Sequence, residues 1–152
     1  MKSTLLTILS GTLLLMMSGC RPKVSVSTGD ILSDNIRSAT TQYSSLVRLI
    51  ENNDKIMIPR TLDGHGEIVY MPCNDWSSGF FSGSLWYIYD LTRDHKWETW
   101  AAKYTEALDS ISYSIHHHDV GFMVGSGFLN GMRIGGRGYR SAILRAAKLL
   151  ST

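Results

Sequence analysis

Apolar residues recur at spacings of three and four through most of this chain, the signature of helices that each bury one face. Between Asp30 and Asn53 the stripe is Leu32, Ile36, Ala39, Tyr43, Leu46, Val47 and Ile50, and Asn52-Asn53-Asp54 ends it. Ser78 to Leu91 is apolar nearly all round, with Phe80, Phe81, Leu85, Trp86, Ile88 and Tyr89, and is expected to be buried on most sides. Thr92-Arg93-Asp94 reads as a tight turn, with Asp94 as cap of the next helix. That helix is predicted from His95 to about Ser112, with Trp97, Trp100, Ala101, Tyr104, Leu108 and Ile111 inward. A fourth is predicted over Val120 to Ile134, ended by Gly135-Gly136. A fifth spans Tyr139 to Leu150, with Ala142, Ile143, Ala146 and Leu150 inward.

Between the first two helices, residues 55 to 75 carry Pro59, Gly64, Gly66, Pro72 and Asn74-Asp75 and read as a connecting segment. Ile68-Val69-Tyr70-Met71 is a short extended stretch within it. A faint repeat relates Trp97–Leu108 to Tyr139–Leu150 at an offset of 42 residues, in the range of helix-hairpin arrays. One hairpin cannot bury its apolar face without neighbours. The last helix runs to Thr152 with no polar cap behind it, so a larger helical assembly is expected.

The first 20 residues follow a different pattern. Lys2, an apolar run from Leu5 to Met17, and small residues before Cys20 make a secretory signal peptide, too short for a comfortable membrane span. The Met17-Ser18-Gly19-Cys20 boundary resembles the lipobox of bacterial lipoproteins. That resemblance implies cleavage before Cys20 and a lipid on its thiol. The alternative is an ordinary cleaved signal with an incidental Cys. Residues 21–29 then form a polar tether, and residues 30–152 the domain. The protein is expected to be exported and anchored to a membrane, on its periplasmic side or at the cell surface. With Cys20 set aside, Cys73 is left alone, which suits a small buried hydrophobe better than a nucleophile.

Composition narrows the function. The 43% hydrophobic and 18% charged content is that of a folded domain, and 152 residues suffice for one. A net charge of +2 without a Lys/Arg run gives no footprint for nucleic acid. All four Trp lie between positions 76 and 100, and such plates serve cores and sugar platforms alike.

Four local features carry candidate chemistry. Asn74-Asp75-Trp76-Ser77-Ser78-Gly79-Phe80-Phe81 opens the second helix. There Trp76 would stack on a sugar while backbone N–H groups receive a carboxylate. Otherwise, Asp75 or Ser77 caps the helix and Trp76 packs in the core. His116-His117-His118-Asp119 invites a metal reading, but adjacent His do not face one way and no later ligands follow, so no metal and no cofactor is expected. Asp119 stands at a loop-to-helix junction beside His118, as a general acid or base or as an N-cap. Gly125-Ser126-Gly127 through Gly131 reads as close helix packing and not as a phosphate loop. Asp75 and Asp119 are a possible carboxylate pair of the kind ordinary glycosidases need.

Taken in order, Asp75-Trp76-Ser77-Ser78-Gly79-Phe80-Phe81, Leu85-Trp86-Tyr87, Leu91-Thr92, Trp97, Tyr104, His118-Asp119-Val120-Gly121-Phe122 and Asn130-Gly131-Met132-Arg133 resemble glycoside hydrolase family 88, the unsaturated glucuronyl hydrolases, over residues 55 to 150. The resemblance implies an all-α fold, a partial (α/α)6 toroid of helical hairpins. It implies oligosaccharides that begin with a 4,5-unsaturated uronic acid, such as the lyase products of chondroitin or hyaluronan. One Asp, matched by Asp119, protonates C4 and activates the water that adds at C5. The hemiketal then opens and releases the remaining sugar. Trp76 matches an aromatic that packs on the sugar, and His118 lines the same pocket. Two departures are Gly125-Ser126-Gly127 in place of a bulkier segment, and Gly135-Gly136-Arg137-Gly138, one residue shorter than the family's turn. Members are more than twice this long, so the chain is expected to stop before the domain is complete. The competing readings are an unsaturated rhamnogalacturonyl hydrolase, a non-catalytic lipoprotein that is a remnant or binds saccharide, and assembly with another chain.

Overall fold

A computed structural model describes residues 27–51, 55–113 and 118–151. The expected signal segment, Cys20, His116 and His117 lie outside the described residues. Helix α1 runs Thr28–Glu51, strand β1 Ile58–Leu62, β2 Ile68–Met71, α2 Ser78–Thr92 and α3 His95–Glu106. A 3-10 turn at Asp109–Tyr113 follows, then α4 (Val120–Val124), a π-helical turn (Gly125–Leu129), α5 (Asn130–Gly135) and α6 (Arg140–Leu150). Among the described residues, no helix is long and apolar enough to cross a membrane.

Helix α2 is the centre of the packing. Its Leu85 and Trp86 are fully buried, with Trp97 and Tyr104 of α3, Leu108 just beyond it, Met123 of α4 and Phe128 of the π turn around them. Phe81 meets the Tyr104 ring edge-on at 4.9 Å and stacks on Tyr43 of α1 at 5.9 Å. The Trp86 indole N–H donates to Thr105 Oγ1 at 3.0 Å, which satisfies a polar atom in the core. The α2–α3 corner is sharp because Arg93 takes φ 56°, and Asp94 accepts from the Lys96 amide to cap α3.

Several sequence expectations are corrected. The third helix ends at Glu106 and tightens into the 3-10 turn, with Ile111 still buried. The fourth is divided by the π turn. There Gly127 abuts Ser82 and Thr105, so the chain winds loosely where backbones touch. Leu32 and Leu150, read as inward, are exposed. Helix α2 is not buried all round: Phe80, Tyr87 and Leu91 face outward. Cys73 is half-buried, and burial pushes its thiol pKa up.

The extended stretch expected at Ile68–Met71 is β2, and it pairs with β1 in an antiparallel hairpin within the connecting segment. Asp63 turns it by accepting from the His65 and Glu67 amides, which holds its carboxyl below the ordinary range. Pairing slips between Pro59 (opposite Tyr70) and Thr61 (opposite Val69), which leaves Arg60 as a bulge.

Candidate functional site

The two motifs singled out in the sequence meet through a glycine. Gly79 lies in the first turn of α2 and Phe122 in the first turn of α4. A Cβ on Gly79 would lie 2.5 Å from the Phe122 carbonyl oxygen and 2.9 Å from the Met123 carbonyl carbon, closer than atoms approach. Gly83, one turn on, is similarly close to the Ser126 backbone. Two small residues spaced by four thus let α2 lie directly against α4 and the π turn. Trp76, just before α2, and Asp119, just before α4, thus stand at the starts of two helices in direct contact.

That edge is aromatic. Trp76 is 45% exposed and meets Phe80 edge-on at 5.9 Å; Phe80 lies 5.9 Å from Phe122. The alternative that places Trp76 in the core is overturned. The core positions on this side are filled by Phe81, Leu85 and Trp86, and Trp76 precedes the helix on a turn that faces out. An exposed ridge of three rings suits the apolar face of a sugar.

Asp75 holds that turn. Its Oδ1 accepts from the Ser77 amide at 3.0 Å and the Ser77 hydroxyl at 2.7 Å, and its Oδ2 pairs with Arg60 Nη1 at 3.1 Å. Asp75 is therefore an Asx-turn anchor clamped to the hairpin, and Ser77, at the N-cap position, makes no side-chain cap bond. The Ser78 and Phe80 amides donate to the Asp75 and Ser77 carbonyls. The amides of Ser77, Ser78 and Phe80 are thus spent within the turn, contrary to the expectation that this helix start offers them to a carboxylate.

Asp119 sits at the N-cap position of α4 without a side-chain cap bond. Its carbonyl receives the Phe122 and Met123 amides at 2.8 and 3.1 Å. Its side chain is 23% exposed, and His118 Nε2 lies 3.6 Å from Oδ1 with the imidazole 92% exposed. Asp119 is thus a partly sheltered carboxyl beside a ring that points to solvent. Among the described residues, no three His, Cys, Asp or Glu gather in a metal-ligand group.

Two grooves flank Phe80. One, of about 520 Å3, lies between α1, the hairpin and α2; the other, of about 990 Å3, runs along α2 beside α4, the π turn and α5. Trp76, His118 and Asp119 line neither, but Ser77 and Phe80 border the first and Gly121 the second. Sequence reasoning passes over Arg60: a cation after a proline carries no motif, and its aim depends on the bulge.

The comparisons with known proteins point one way. An unsaturated glucuronyl hydrolase from Formosa agariphila is 34% identical over 119 residues, covering 73% of this chain and 30% of the relative. One from Bacillus sp. strain GL1 is 36% identical over 69 residues, covering 43% of this chain and 18% of the relative. A solved unsaturated glucuronyl hydrolase specific for heparin superposes with a TM-score of 0.67 at 34% identity, over 76% of this chain and 31% of that one. No protein-family model matches the chain. The chain thus spans about 30% of the length of the first relative. The helices described above are hairpin elements of the α/α toroid that this kinship carries.

Proposed function

From the kinship of this chain with the unsaturated glucuronyl hydrolases, glycoside hydrolase family 88, whose N-terminal part it matches, we propose that it serves the hydrolysis of unsaturated glucuronyl oligosaccharides. The substrates are lyase products of glycosaminoglycans. Chondroitin and hyaluronan disaccharides are included, and heparin-derived ones join them because the matched solved enzyme is one specific for heparin. In this reading the Asp119 carboxyl delivers a proton to C4 of the 4,5 double bond and draws one from the water that adds at C5. The hemiketal so formed opens and releases the next sugar. Trp76 supplies the face on which the unsaturated ring lies, and His118 lines the same pocket.

One observation supports this above others. Trp76 and Asp119, 43 residues apart, stand at adjacent helix starts joined by the Gly79 contact, on a ridge of exposed rings. A single carboxyl beside a stacking platform can give and take a proton on one face of a flat ring. The reading extends to location: a lipid on Cys20 would hold the domain at a membrane surface.

The test is direct. The full chain is mixed with an unsaturated chondroitin disaccharide, and the ultraviolet absorbance of the double bond is followed, with Asp119→Asn alongside. Absorbance lost in the parent and retained in the variant supports the reading. Equal loss in both removes Asp119 from the chemistry. No loss by a chain that unfolds cooperatively turns the reading toward saccharide binding without catalysis. Mass analysis of the N-terminal peptide, with or without lipid on Cys20, decides the anchor separately.

A further inference from the structure

We propose that Arg60 is a positioning residue for the Trp76 platform: acting through Asp75, it fastens the turn that carries the indole to the hairpin, and so sets the direction in which the ring is offered to a sugar. The proposal rests on the reading of Trp76 as that platform, while its spectroscopic test needs no sugar.

Packing does little to fix the direction of Trp76. Its indole leaves 45% of its surface in solvent and meets Phe80 edge-on at 5.9 Å. Its aim therefore comes from the backbone on either side of it. That backbone is a pair of tight turns, in which the Asp75 amide donates to the Pro72 carbonyl at 3.1 Å and the Ser78 amide to the Asp75 carbonyl at 3.0 Å. Local turns fix a shape, but not how that shape sits on the rest of the molecule.

The two neighbours of Trp76 supply that orientation. On one side Asp75 Oδ2 accepts from Arg60 Nη1 of β1 at 3.1 Å. On the other the Ser77 hydroxyl lies 2.7 Å from Asp75 Oδ1 and 3.3 Å from the thioether of Met71, the last residue of β2. Each strand thus holds one strap, and Trp76 stands between them. The strands are a firm base at this end, because Ile58 and Met71 are paired and both are buried. Arg60 is the bulged residue of β1, and a bulge re-aims a side chain out of the regular pleat.

The Arg60 strap is the stronger of the two. A thioether is a weak acceptor, whereas a bond between two charged groups is stronger than a neutral one. The Arg60 side chain is nevertheless 48% exposed, and an ion pair so open to water adds little to global stability. Loss of Arg60 should therefore disturb the platform far more than the fold.

The experiment uses the full chain and reads Trp76 directly. Trp86 and Trp97 are buried and Trp100 is half-buried, so acrylamide quenching of the fluorescence reports chiefly on Trp76, and the difference from Trp76→Ala isolates it. In Arg60→Gln the quenching of Trp76 should rise about twofold and its anisotropy fall, with the melting midpoint held within about 2 °C. Arg60→Lys retains the charge and should restore most of both signals. Ser77→Ala cuts the second strap and should move both signals the same way by less. Calorimetric titration with an unsaturated chondroitin disaccharide adds the functional readout. Arg60→Gln should weaken binding about fivefold when Trp76 is present and less than about twofold in Trp76→Ala, because Arg60 acts through the indole. Unchanged quenching and anisotropy in Arg60→Gln would overturn the proposal. So would an equal loss of binding with and without Trp76, which would make Arg60 a support or a sugar contact in its own right. If quenching responds as expected while Trp76→Ala binds the sugar as well as the parent does, the clamp on the indole stands and the sugar reading of Trp76 fails.

Discussion

Gly79 and the carbonyl of Phe122 approach so closely that even one methyl group has no room, since a Cβ on Gly79 would lie 2.5 Å from that oxygen. The contact joins the first turns of α2 and α4, and so sets the spacing between Trp76 and Asp119. Gly79→Ala forces the helices apart and is expected to destabilise by about 1–3 kcal/mol, the usual cost of overpacking. Because the atom it meets is backbone, relief requires a shift of α4 itself. Thermal unfolding should show the midpoint fall by several degrees, and saccharide binding should weaken beyond what that loss explains. An unchanged midpoint would mean that the helices are not in this contact.

Much of the helical frame was legible beforehand because the apolar stripes are long and regular. Trp97, Ala101, Tyr104 and Leu108 are buried as the 3.6-residue period demands. Of the hairpin only β2, Ile68–Met71, was legible; β1 and the pairing were not. Pro59 interrupts β1, and its strands lie mostly on the surface, so the inside-outside alternation that reveals a strand is missing. The Asp75–Arg60 clamp depends on a bulge, which leaves no trace in spacing. Trp76 and Phe80 could be read as core or as platform from the sequence, because an indole serves both. The structure decides for the surface, with the interior already filled by Phe81 and Trp86.

Trp76 should separate stability from binding. With 45% of its surface in solvent and an edge contact to Phe80, it contributes little to the fold. Trp76→Ala is expected to change unfolding free energy by no more than about 0.5 kcal/mol. Binding of an unsaturated disaccharide should fall on the order of tenfold, equivalent to about 1.4 kcal/mol. Urea unfolding and a binding titration on the same variant check both halves. A large loss of stability with binding intact would place Trp76 in the frame and not in the site.

Thr105 should behave in the opposite way. It is fully buried and accepts from the equally buried Trp86 indole N–H at 3.0 Å. Thr105→Val keeps the shape and removes the acceptor, which strands a donor at a cost of about 1–3 kcal/mol. The Trp86 ring is also packed against Gly135, where a Cβ would lie 2.5 Å from it, and close to Gly131, so it has little freedom to find another partner. Thr105→Ser retains the hydroxyl and should recover most of the loss. Denaturant midpoints of the two variants give the comparison, and equal midpoints would show that the hydrogen bond contributes nothing.

Two tyrosines set an alkaline limit on the fold. Burial pushes the Tyr104 phenol up to about 12, with the Glu51 charge adding to it. Burial also raises Tyr139, helped by the 2.8 Å hydrogen bond it donates to Glu106. In the unfolded chain both ionise near 10. Below that value both states hold the proton, so the favourable contribution is fully present and stability is flat. As pH climbs past 10 the unfolded chain releases protons that the folded chain keeps, and stability declines until the folded values are passed. Each tyrosine contributes a slope of about 1.4 kcal/mol per pH unit in that window. Urea unfolding at steps from pH 9 to pH 11.5 should therefore show stability falling only above about pH 10. Tyr139→Phe should lower stability at neutral pH through loss of the Glu106 bond, by about 1 kcal/mol, yet make the alkaline decline shallower. A decline of the same steepness in Tyr139→Phe would mean that its phenol titrates alike in both states and is not sheltered by Glu106 and the packing of α6.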